Sequence, residues 1–193
     1  MSSEIQSIVN RISDDLQELE LLLYVSDTEK ININFPRGVI RTAGTFRSKL
    51  DFIDNQILRT NIAYHLMLSD VYRWILNRFD ISLTAKEMLI KEGISLIGNI
   101  TEAILKYVAI DILGNDPKIG FSRACSVLME NRIISKEQKK ELKWLWNMRC
   151  KEHIYNLRNT EYGKYTIEHY NIAIKILKDF ELSIKKAREE RLI

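Results

Sequence analysis

The sequence predicts an all-α protein, a helical bundle, on three observations. Only 7 Gly and 2 Pro stand among 193 residues, below the roughly 12% that the pair occupies in an average protein. Sandwiches, barrels and glycine-looped nucleotide folds all spend these residues in their turns. Apolar residues recur at intervals of three and four along most of the chain, which places them on one face of a helix. Two capping-box patterns, Thr84-Ala-Lys-Glu87 and Ser135-Lys-Glu-Gln138, stand directly ahead of apolar segments and mark helix starts. With 46% apolar and 28% charged residues, the chain has the balance of an ordinary globular protein and is long enough to bury a core without staples.

Taken in order, Ile5, Ile8, Val9, Ile12, Leu16, Leu19 and Leu23 predict an amphipathic helix from Ser3 to about Tyr24. A long connection follows from Ser26 to Arg41, ending at the Pro36-Arg37-Gly38 break. From Thr42 to Phe79 the spacing of Leu50, Ile53, Ile57, Leu58, Ile62, Leu66, Val71, Trp74 and Ile75 predicts one long helix or two in series. Thr84 opens the next helix, which runs to Leu113 and stops at Gly114-Asn-Asp-Pro117. Its apolar positions cover more than one face, so it is the expected centre of the bundle. Gly93 and Gly98 each cost roughly 1 kcal/mol inside a helix, and they predict close approach of another backbone. Phe121 to Asn131 reads as a short helix, Ser135 caps another carrying Leu142, Leu145 and Trp146, and Tyr165 to Arg191 reads as the last. The expected organisation is an N-terminal helical extension, 1–83, packed with a core, 84–193, as one globular unit.

Composition also narrows the function classes. Cys125 and Cys150 are the only cysteines. With three scattered histidines they make neither a disulfide framework nor a zinc cage, so no cofactor and no metal are expected. No apolar run reaches the length of a membrane span or signal peptide, and the expected setting is cytoplasmic. Charge is uneven. Residues 136–193 carry 14 Lys and Arg against 9 Asp and Glu, whereas the first 135 carry 15 against 17. A polyanion would be drawn to the C-terminal third, although lysines on solvated helix faces give the same count.

The most informative stretch follows the second capping box. On a helical wheel Leu142, Leu145 and Trp146 define an inward stripe, and Arg149, His153 and Asn156 fall on it one and two turns later. A guanidinium and an imidazole are costly to bury alone, so the stripe must lead into a cleft or subunit interface there. Alternatively, Arg149 pairs with Glu102 or Glu152 and His153 bonds a loop carbonyl. His65 and His169 read as surface or satisfied core histidines. Trp144 points away from the stripe and is expected to cover a neighbouring helix.

The ordered helices from Thr84 to Phe180, with Glu102 on the central one and Arg149-Cys-Lys-Glu-His153 at the end of another, resemble the HEPN domains (higher eukaryotes and prokaryotes nucleotide-binding). Many members of that family are metal-independent endoribonucleases of toxin–antitoxin and defence systems. Their hallmark is an arginine followed a few residues later by a histidine, often with asparagine directly after the arginine. In this chain three residues separate Arg149 from His153, fewer than is usual in the family, and Cys150 takes the asparagine position. The resemblance implies a toxin or defence ribonuclease, with Arg149 and His153 catalytic and Glu102 orienting Arg149. RNA would be the substrate, an antitoxin a possible partner.

The chemistry asked of the pair is coherent. Cleavage by the RNA's own 2′-hydroxyl needs a base, an acid and a cation beside the developing phosphorane charge. Histidine titrates near neutrality and arginine can hold a phosphate through two parallel hydrogen bonds. One imidazole cannot be acid and base at once, so the site is expected to be composite across a homodimer. Two further readings are a noncatalytic HEPN-like module that binds RNA or a protein, and a purely helical adaptor.

Overall fold

The computed structural model describes residues 3–25, 32–114, 118–152 and 160–190. Every regular element among them is helical. The chain divides into two compact units, Met1–Pro36 and Arg37–Ile193. The sequence expectation was an extension, 1–83, packed with a core, 84–193, as one globular unit. Residues 37–83 lie in the same compact unit as the residues that follow, with Leu50, Phe52, Ile53 and Ile62 buried in one core with Ile94 and Ile97.

The N-terminal unit contains α1 (Ser3–Val25). Its bounds follow the predicted stripe closely. Ile8, Val9 and Ile12 of that stripe are exposed.

The second unit starts with α2 (Ala43–Lys49) and α3 (Gln56–Arg78). The long apolar stretch is thus two helices in series. Thr42 caps α2 by accepting from the Thr45 amide, and Asn55 caps α3 by accepting from Leu58. Between them Leu50, Phe52 and Ile53 turn inward and are at most 2% exposed. Apolar spacing cannot separate this buried turn from a helix, since both put greasy residues toward the core.

Next comes α4 (Leu83–Leu113), 31 residues and about 46 Å long at 1.5 Å per residue. It is the centre of the bundle, and α3 packs on it along with the later helices α5 (Phe121–Glu130), α6 (Lys136–Arg149) and α7 (Ile167–Glu189). Ile94, Ile97, Ile104, Leu105 and Ala109 are completely buried. The expected Thr84–Glu87 capping box does not form. Ser82 is the N-cap without a side-chain bond, and the Glu87 carboxylate instead accepts the Lys164 amide at 3.0 Å. A long-range donor has taken the group that the local pattern assigned to the cap. The expected stop is correct: Gly114 closes α4 in the left-handed conformation, φ 69°.

Ser135 forms the second capping box as predicted, accepting from the Gln138 amide at 3.2 Å while Gln138 Oε1 accepts from Ser135 N at 3.1 Å. At the end of α5, Ile133 N donates to Leu128 O and Arg132 N to Met129 O, a Schellman closure. Arg132 occupies its left-handed position, φ 60°, where glycine is usual. The two glycines of α4 have separate explanations. A Cβ on Gly98 would lie 2.7 Å from Arg149 Cβ, so α6 does approach closely there. A Cβ on Gly93 would lie 2.9 Å from the Tyr170 ring, so a side chain rather than a backbone fills that space.

Candidate functional site

The inward stripe of α6 behaves as its spacing demands at first. Leu142 and Leu145 are each 1% exposed, Met148 is buried, and Arg149 emerges with its side chain 30% exposed. The helix expected to continue through His153 and Asn156 ends at Arg149, where the chain tightens into a 3-10 turn, Cys150–Glu152. His153 and Asn156 lie outside the described residues.

Arg149 meets a polar row on α4. Its Nε donates to Asn99 Oδ1 at 2.7 Å. Nη2 lies 3.6 Å from Glu102 Oε2, and Lys106 Nζ lies 2.7 Å from Glu102 Oε1. Glu102 is therefore shared by two cations and is itself 15% exposed. Asn99, Glu102 and Lys106 stand three and four apart, so one face of α4 supplies all three. Gly98 creates the room, because without a Cβ it lets the Arg149 stem lie directly on the α4 backbone.

The guanidinium is thus fixed through Nε and drawn toward Glu102, while its other N–H groups stay available to an anion. The cluster Arg149, Lys106 and Glu102 carries a net single positive charge, suited to a phosphate. Sequence reasoning missed Asn99, the strongest single contact of Arg149. Its signal was present: it follows Gly98 and precedes Glu102 by one helical turn.

The remaining candidates are settled more simply. His65 Nδ1 is 2.8 Å from the Asn61 carbonyl, one turn back on α3. His169 Nδ1 accepts the Thr166 amide at the start of α7. Trp144 packs near the His169 ring, centroids 6.2 Å apart, and so covers α7. Cys125 is buried, which pushes its thiol up to about 11, and Cys150 is half-buried and free. Among the described residues no group of three His, Cys, Asp or Glu could hold a metal ion, and no helix is long and apolar enough to cross a membrane.

Two polar constellations had no counterpart in the sequence reading. Lys91, only 4% exposed, donates to Glu161 at 2.9 Å, and Tyr165 donates to the other carboxylate oxygen at 2.8 Å. Burial pushes Glu161 up, but these two bonds and the Lys91 charge outweigh it and hold the carboxyl below its ordinary value. Burial, then the Glu161 carboxylate, push the Tyr165 phenol far up. Asp70, 2% exposed, accepts from Arg41 Nε at 2.9 Å, Nη2 at 2.6 Å and the Arg41 amide at 3.0 Å. Burial pushes Asp70 up as well, and the Arg41 bonds and charge override it.

No family model matches the chain, and no curated protein matches it. A cytosolic protein of unknown function from Bacillus subtilis, YutE, has a similar structure, with a TM-score of 0.49 and 18% identity over 69% of this chain and 92% of that one.

Proposed function

We propose that this chain is a metal-independent endoribonuclease of the HEPN type, a toxin or defence effector whose site is composite across a homodimer. The observation that carries the reading is Arg149: it is anchored by Asn99 and Glu102 at the mouth of the α4–α6 interface and still 30% exposed. A cation held this way needs little reordering when a phosphate arrives, and preorganised charge of this kind stabilises a developing phosphorane. Arg149 binds the scissile phosphate, Asn99 and Glu102 position it, and His153 transfers protons, one histidine from each subunit serving as base and acid.

The test has two arms. Expression of the wild type arrests growth, and Arg149→Ala and His153→Ala each relieve the arrest. Purified protein cuts a mixed-sequence RNA to products ending in 2′,3′-cyclic phosphate, unaffected by EDTA. RNA left intact by a folded, dimeric wild type refutes the proposal.

A second reading is a noncatalytic HEPN-like module that binds RNA or a protein. It draws support from the end of α6 at Arg149 and the 3-10 turn that follows it at Cys150–Glu152. Under this reading Arg149→Ala weakens partner binding, and RNA is never cut.

A further inference from the structure

We infer that the cavity between α2, α3 and α7 is a binding site for a small apolar carboxylic acid with one negative charge. This site lies apart from Arg149 and does not rest on the ribonuclease reading. The cavity holds about 200 Å³, the space of about seven waters, which suits a branched chain or a single ring. Its floor is apolar, built from Phe46, Leu50, Leu66, Ile97 and Leu177. Its wall carries Arg41, Lys49, Arg73 and Lys178 against Asp70 and Glu181.

Arg41 is the fixed point of the wall. Asp70 grips it through Nε, Nη2 and the backbone amide, and its guanidinium carbon lies 4.5 Å from the Phe46 ring centre. Those contacts leave Nη1 without a hydrogen bond to any described residue, so a preorganised donor is left over. Asp70 is wholly engaged by this grip and by Arg73 at 3.3 Å. Lys49 and Lys178 make no ion pair within 4 Å among the described residues. Lys49 and Lys178, which hold no ion pair among the described residues, thus border a greasy floor beside an Arg41 whose Nη1 is left over from the grip of Asp70.

Glu181 sets the ligand's charge. It likewise has no hydrogen bond or ion pair among the described residues, and burial holds its carboxyl above the ordinary range in spite of Lys185, Lys49, Lys178 and Arg41 nearby. A ligand with a second negative group would add to the charge of that carboxylate, whereas the single charge of a monoanion is matched by cations that outnumber the carboxylates of the wall. An apolar body over the floor and one carboxylate on Arg41, Lys49 and Lys178 fits every group in the wall.

Calorimetric titration of the full chain with isovalerate and phenylacetate tests the site, with their neutral amides and the dianion succinate as controls. The acids are expected to bind at least ten-fold more tightly than the amides or succinate. The exposed Lys49→Met/Lys178→Met pair is expected to weaken them at least ten-fold with the urea midpoint unchanged. Glu181→Gln is expected to admit succinate. If neither acid binds at millimolar concentration, or both bind the double variant as well as the wild type, the inference fails. Equal binding of amide and acid also overturns it, because the cations would then play no part.

Discussion

Replacing Gly98 by alanine puts the packing of α4 on α6 to a direct test. Alanine inside a helix gains about 1 kcal/mol over glycine from propensity alone. Here the new Cβ would stand 2.7 Å from Arg149 Cβ and 3.2 Å from its Cγ, whereas carbon atoms pack comfortably at about 3.5–4.0 Å. Rotating a side chain gives no relief, because the obstructing Cβ is fixed to the backbone. Either the helices separate or the backbone bends, and overpacking of this kind costs about 2–3 kcal/mol. The expected net loss is therefore about 1–2 kcal/mol, read as a lower urea midpoint at unchanged m-value. In an Arg149→Gly background the nearest remaining atom is Leu145 O at 3.6 Å, an ordinary contact. There the same change should stabilise by about 1 kcal/mol, whereas an Arg149→Ala background, which keeps the Cβ, should not rescue it. A wild-type background in which Gly98→Ala raises the midpoint would refute the close packing, and the positioning of Arg149 with it.

Four other outcomes are expected. Lys91→Met leaves Glu161 half of an ion pair in a site 15% exposed, and removing one partner of such a pair costs about 3 kcal/mol; thermal unfolding of this variant beside Lys91→Met/Glu161→Leu, which should recover most of the loss, checks it. Ser95 Oγ is buried without a partner among the described residues, so Ser95→Ala should raise stability by about 1 kcal/mol, and a drop in the urea midpoint would reveal a missed bond. Arg132→Gly removes a left-handed non-glycine residue at φ 60° and should stabilise by about 1 kcal/mol, measured the same way. Acid sensitivity follows from Asp70 and Glu161, whose folded-state values lie below the ordinary 3.8 and 4.5. Both carboxylates bind fewer protons folded than unfolded, so their contribution is full above about pH 5 and is lost as pH falls through the lowered values. Asp70→Asn should flatten that acid limb, and an unaltered limb in urea titrations from pH 6 to 3 would contradict the assignment.

The outcome at particular residues shows which features were legible in advance. Leu142 and Leu145 point inward because their spacing leaves no other face, and Ser135 with Gln138 caps α6 because both partners lie within one turn. Thr84 and Glu87 have the same spacing and form no box, since Lys164, far along the chain, offers Glu87 a backbone donor. Asp70 stands four residues after Leu66 and four before Trp74 on an apolar stripe, and the sequence reading passed over it. Nothing in its neighbourhood names Arg41 as its partner. Arg149 was visible as a charge on a greasy seam, and its bond to Asn99 was not.

Taken alone, the order of residues determined the helical class, the faces that seek burial, the central place of α4 and its stop at Gly114. Each of these depends on periodicity, capping or backbone freedom, which act over a few neighbouring positions. Only the folded arrangement decided the turn at Leu50–Ile53, the end of α6 at Arg149, and the pairings of Arg41, Lys91 and Arg149. Those depend on which distant group reaches a buried charge first, because an unpaired charge in the interior is costly enough to override local preference.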